Sequence, residues 1–114
     1  MEDFYEIIEH QIVNGKFEYT VRINAEHRVF AGHFPGRPVV PGVMTMMMIR
    51  ECVEDAMHLK STHYASIGEC KYLQPIIPDG RNLKIIFATD GKSVNAEIES
   101  ADGVKLLKIK AILA

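Results

Sequence analysis

Gly32-His33-Phe34-Pro35-Gly36-Arg37-Pro38-Val39-Val40-Pro41-Gly42-Val43 sets two Pro-Gly clusters within eight residues. The chain then runs into an unbroken apolar segment, VMTMMMIRECVEDAM, from Val43 to Met57. Pro holds the residue before it in extended backbone, and Gly permits geometries closed to other residues. His33 therefore stands on a rigid, non-helical corner, and Pro41-Gly42 is a natural helix start. No Gly or Pro interrupts the segment that follows, and its first two turns are apolar nearly all round. Such a helix is buried on most of its sides.

Upstream, Phe17 to Ile23 alternates apolar and polar residues, with Phe17, Tyr19, Val21 and Ile23 on one side, and predicts a half-buried strand. Asn14-Gly15 before it is a strong hairpin-turn dipeptide, approached by Gln11 to Val13. At the start, Phe4, Ile7 and Ile8 share one face of a predicted short helix, with acidic residues in its first turn. Downstream, Leu59 to Tyr64 reads as a polar loop and Ala65 to Leu73 as a strand. Gln74 to Gly80 then forms a bend and a turn. Leu83 to Thr89, Ser93 to Ser100 and Val104 to Leu113 predict a three-strand meander joined at Asp90-Gly91 and Asp102-Gly103. One long helix with a mostly antiparallel sheet is an α+β arrangement. A single sheet around a helix leaves edges to cover, so pairing with a second copy is expected.

At 114 residues the chain is expected to be one domain, 1–114, with a modest core of its own. A net charge of −2 and the lack of any Lys/Arg block argue against nucleic-acid binding. The acidic N-terminus does not read as a signal peptide, and no apolar run is long enough for a membrane span. Cys52 and Cys70, without a CxxC motif, read as buried thiols in a reducing compartment, so the cytoplasm is the expected address. His10, His27, His58 and His63 lack zinc-site spacing and are expected at the surface or in turns. The cluster of Met44, Met46, Met47 and Met48 reads as adaptable core. No metal site is expected.

GHFPGRPVVPGV resembles the signature of the 3-hydroxyacyl-acyl-carrier-protein dehydratases, in which His-Phe-Pro-Gly is followed by Pro-Gly-Val or Pro-Gly-Cys at the start of the central helix. Asn24 and Phe30 ahead of the motif fit the same pattern. So does Lys71-Tyr72-Leu73-Gln74-Pro75-Ile76-Ile77-Pro78-Asp79-Gly80, although the family's Gly-Asp order is reversed here. The likeness covers the chain from about Phe17 onward. It implies the hot-dog fold, an antiparallel sheet wrapped around one long helix. It also implies removal of water from a 3-hydroxyacyl thioester, giving a trans-2-enoyl thioester in fatty-acid or related polyketide or polyene synthesis. The substrate would ride on the phosphopantetheine of an acyl carrier protein, with no further cofactor, and the enzyme would be a homodimer or higher oligomer.

In that family the His takes the proton beside the thioester, a position held here by His33; an imidazole suits base work near neutrality. N–H groups at the positive end of the helix stabilise the thioester oxygen, which implicates Gly42 and Val43. Phe34 and Met47 are expected to line the substrate. The family's acid, a Glu or Asp contributed by the other subunit, lies fourteen residues beyond the His; here that position is Met47, which carries no proton to give. Glu51 is the nearest acid, one helical turn or about 6 Å further along. It reads either as a displaced catalytic acid or as a polar residue paired within the fold. Arg50 reads as a solvated or dimer-facing charge, and Thr45 as a helix hydroxyl bonded to its own backbone. Beside dehydration, the residues leave open a non-catalytic acyl-thioester-binding or heterodimer subunit, and a hot-dog thioesterase.

Overall fold

The computed structural model describes residues 3–31 and 38–114. Six strands form one antiparallel sheet: β1 (Tyr5–Val13), β2 (Lys16–Ile23), β3 (Tyr64–Tyr72), β4 (Asn82–Thr89), β5 (Ser93–Glu99) and β6 (Lys105–Leu113). Their order across the sheet is β1-β2-β4-β5-β6-β3. Among the described residues the one α-helix, α1 (Gly42–Met57), follows β2 and precedes β3, which lies at the far edge. Along β2, β4, β5 and β6 every second side chain turns inward, from Tyr19, Val21 and Ile23 to Ile85, Phe87, Ala96, Ile98, Leu107 and Ile109. Met44, Met48, Ile49, Cys52 and Val53 of α1 complete that core and are all buried. The arrangement is the one the sequence implied: a sheet around a single apolar helix.

The predicted N-terminal helix is instead a strand. The Asn14-Gly15 turn, with φ of 51° and 78°, folds β1 back along β2 from Val13↔Lys16 to Tyr5↔Ile23. A bulge between Ile7 and Glu9 shifts the alternation by one residue. Phe4, Ile7 and Ile8 do not share a face: Phe4 is buried, whereas Ile7 and Ile8 are about 40% exposed. Phe4 lies just ahead of the strand, fully buried; its carbonyl accepts from Asn24 N at 2.8 Å. The other turn dipeptides hold as hairpins, with Gly91 and Gly103 at φ of 94° and 83°.

Side-chain bonds tie α1 to the edge strand β3 and to β2, next to the other edge. Tyr64 of β3 donates to the Met46 carbonyl at 2.7 Å, and Tyr19 of β2 donates to Asp55 Oδ2 at 2.6 Å. Arg50 is a structural residue and not a solvated charge: it donates to Glu54 Oε2 at 3.2 Å and to the Thr62 carbonyl at 3.1 Å. The Thr62 N–H and hydroxyl donate to the same Glu54 oxygen at 2.8 and 2.6 Å, pinning the loop between α1 and β3. Burial opposes ionisation of Glu54, but the Thr62 donors and then Arg50 outweigh it and hold the carboxyl below its usual range.

A lowered carboxylate pKa stabilises the fold above the unfolded value, and that stability is lost as pH falls through the folded one. Glu54→Gln is therefore expected to cost about 1–3 kcal/mol at pH 7. The gap to wild type should close as pH drops below about 4.3. Denaturant unfolding at several pH values reads this, and a gap independent of pH would contradict it.

Candidate active site

Pro41 opens α1 with φ of −59° and ψ of 143°, and its carbonyl accepts from Met44 N at 3.0 Å and Thr45 N at 3.3 Å. Among the described residues, no backbone acceptor meets the N–H of Gly42 or Val43. The first turn of α1 holds no acidic side chain, so its positive dipole end is not offset locally. Val43 is 76% exposed. In front of the helix start the Val40 N–H donates to the Ile76 carbonyl at 2.8 Å. This bond joins the segment ahead of the helix to the Pro75–Pro78 bend, and Ile76 is buried.

A cleft of about 280 Å³ forms where these pieces meet, walled by Val40, Gly42, Thr45, Tyr72, Gln74 and Ile76. Its lining is mostly apolar, with two hydroxyls and one amide, the usual make-up of a small-molecule site. Thr45 is 1% exposed and donates to the Gly42 carbonyl at 2.6 Å. Tyr72, half exposed at the end of β3, lies beside the Thr45 hydroxyl and the Cys70 thiol; burial disfavours its phenolate.

The sequence-derived residues divide between two places. Gly42 lines the cleft, and Val43 follows it in the first turn of α1. Met47 lies about 7–8 Å further along α1 and Glu51 about 13 Å, by the rise per residue. Glu51 Oε1 accepts from Tyr5 Oη at 2.8 Å, a bond between α1 and the first residue of β1. Burial, the neighbouring Cys52 and then Glu51 itself push the Tyr5 phenol well above its usual range, so it stays a donor. His33 and Phe34 lie outside the described residues. Cys52 is fully buried and its thiol pKa is pushed up by burial and then by Asp55 and Glu51, while Cys70 is only half-buried. His27 is buried and caps the 3-10 turn Arg28–Phe30 by accepting from Val29 N at 3.0 Å. Tyr5 and Tyr72 were not marked by their own residue type. The signal for Tyr72 was its place directly before the Pro-rich bend.

The ApeI-like family, described as ApeI dehydratase, matches residues 9–108. The chain belongs to the ApeI-like dehydratase family. Two FabZ 3-hydroxyacyl-acyl-carrier-protein dehydratases are among the relatives of this ApeI-like chain. That of Geobacter metallireducens is 33% identical over 70 residues, 54% of this chain and 46% of its own length. That of Haemophilus influenzae is 24% identical over 102 residues, 81% of this chain and 69% of its own. The chain spans about half the length of the Geobacter and Fusobacterium nucleatum relatives. Among solved structures, the dehydratase heterocomplex ApeI:P from Xenorhabdus doucetiae matches with a TM-score of 0.77 at 19% identity, over 96% of each chain. The (R)-hydratase from A. caviae involved in PHA biosynthesis matches with a TM-score of 0.61 at 14% identity, over 95% of each chain. At these identities the structures speak for the fold, which is the hot-dog fold the ApeI-like family implied.

Proposed function

We propose that this chain dehydrates a 3-hydroxyacyl thioester carried on the phosphopantetheine arm of an acyl carrier protein. The observation that carries the reading is the apolar cleft at the open N-terminus of α1, where the Gly42 and Val43 N–H groups meet no backbone acceptor among the described residues. A thioester oxygen seated there gains negative charge as His33 takes the proton from the adjacent carbon, and the helix end offsets that charge. The double bond then forms as the C–O bond breaks, and the proton taken by His33 returns through a water to the departing hydroxyl, giving the trans-2-enoyl thioester and water. No cofactor enters this chemistry beyond the arm that carries the substrate. The setting is fatty-acid, polyketide or polyene assembly in the cytoplasm; among the described residues no helix is long and apolar enough to cross a membrane.

The purified chain is expected to generate the ultraviolet absorbance of a conjugated enoyl thioester from a 3-hydroxyacyl-pantetheine thioester. A flat trace with a carrier-bound substrate as well would sink the reading. The working unit is proposed to be a dimer joined at sheet edges, because β3 ends the sheet with Ile67 and Tyr72 about half exposed. Light scattering that returns a monomer mass at micromolar concentration would contradict this.

A second reading has its own observation. Met47 stands where the family's acid belongs, and Glu51 is bonded to Tyr5 about 13 Å from the helix start. A chain so built suits a binding or heterodimer subunit that receives its acid from a different partner. The ApeI:P structure is described as a heterocomplex.

A further inference from the structure

Building on the dehydratase reading, we propose that Tyr72 is a further catalytic residue, whose hydroxyl donates to the thioester oxygen beside the first N–H groups of α1. Two facts converge on it. A Cβ placed on Gly42 would fall 2.7 Å from Tyr72 Oη and 3.1 Å from Cζ, so the phenol tip rests directly against the backbone that opens the helix. Tyr72 is also part of the cleft wall, together with Gly42 and Thr45.

Thr45 fixes where that oxygen sits. It is buried and anchored to the Gly42 carbonyl at 2.6 Å, with its hydroxyl beside the Tyr72 phenol. A phenol hydrogen turns about its C–O bond, so Tyr72 presents it to a carbonyl oxygen when one arrives. During the reaction the α-proton passes to His33 and the electron pair moves toward the thioester oxygen. Tyr72 shares its hydrogen with that oxygen without giving it up, and burial disfavours the phenolate that full transfer would leave. Gly at position 42 is thereby explained: any side chain there would push the phenol tip out of the cleft.

The test uses Tyr72→Phe, which keeps the ring and removes only the hydroxyl. Infrared spectra of bound crotonyl-pantetheine are expected to show the carbonyl stretch moved to lower frequency in wild type and part of that shift lost in the variant. With the 3-hydroxyacyl thioester, kcat is expected to fall about 10²–10³-fold while KM changes little, as when one oxyanion donor is removed. Gly42→Ala should reproduce the loss by displacing the phenol. A full carbonyl shift and near-wild-type kcat in Tyr72→Phe would overturn the proposal and leave the dehydratase reading standing. No thioester signal on wild type at all would overturn both.

Discussion

His33→Ala is expected to lower dehydration of a 3-hydroxyacyl thioester by about 10²–10⁴-fold and leave the unfolding midpoint near that of wild type. The loss is that of a positioned base, because no other His belongs to the Pro/Gly corner that precedes α1. Folding should be spared because both flanks are held independently. On one side the 3-10 turn closes through Phe30 N to the His27 carbonyl at 3.1 Å, with Phe30 buried. On the other the Val40 N–H is bonded to Ile76 O. Steady-state rates together with thermal unfolding separate the two effects. Full activity in the variant would make His33 structural.

Met47→Glu is expected to raise the dehydration rate, by up to about 10²-fold, because it restores a proton donor at the position the family uses. Met47 is half-buried, next to the core residue Met48 and about one turn from Met44. A carboxyl among these side chains is disfavoured as the anion, which keeps it protonated and able to donate. The same burial should lower stability. Glu51→Gln in the wild-type background is the paired comparison. The Tyr5 bond assigns Glu51 to holding β1 against α1, so this change is expected to reduce stability more than turnover. If Glu51→Gln instead removes the activity, Glu51 is the acid, displaced by one turn of helix. Equal rates in all three proteins would mean that the acid comes from elsewhere.

The parts of the fold written in local chemistry were legible in the sequence. Asn14-Gly15, Asp90-Gly91 and Asp102-Gly103 each require positive φ and each form a hairpin, and the alternation in Phe17–Ile23 set the inward face of β2. The helix start followed from Pro41-Gly42, and its buried faces from the run of Met44, Met48 and Ile49. What was hidden depended on contacts far apart in the chain. β1 looked helical because Phe4, Ile7 and Ile8 fall at helical spacing in the sequence, and only its pairing with β2 reveals the strand. Glu51 meets Tyr5 across 46 positions, so nothing near it in the sequence distinguishes a clamped carboxylate from a catalytic one. Tyr72 reaches Gly42 because β3 returns along the far edge of the sheet, a closure that local periodicity does not encode.

The account's central claim is that the cleft at the start of α1 carries out dehydration. It is tested most directly by incubating the wild-type chain with a 3-hydroxyacyl-loaded carrier protein and weighing the carrier afterwards. The expected result is a carrier lighter by one water and still acylated, with the loss absent in His33→Ala. A carrier stripped of its acyl group would identify a thioesterase. An unchanged carrier, bound but not altered, would contradict catalysis by this chain alone and leave the binding-subunit reading in its place.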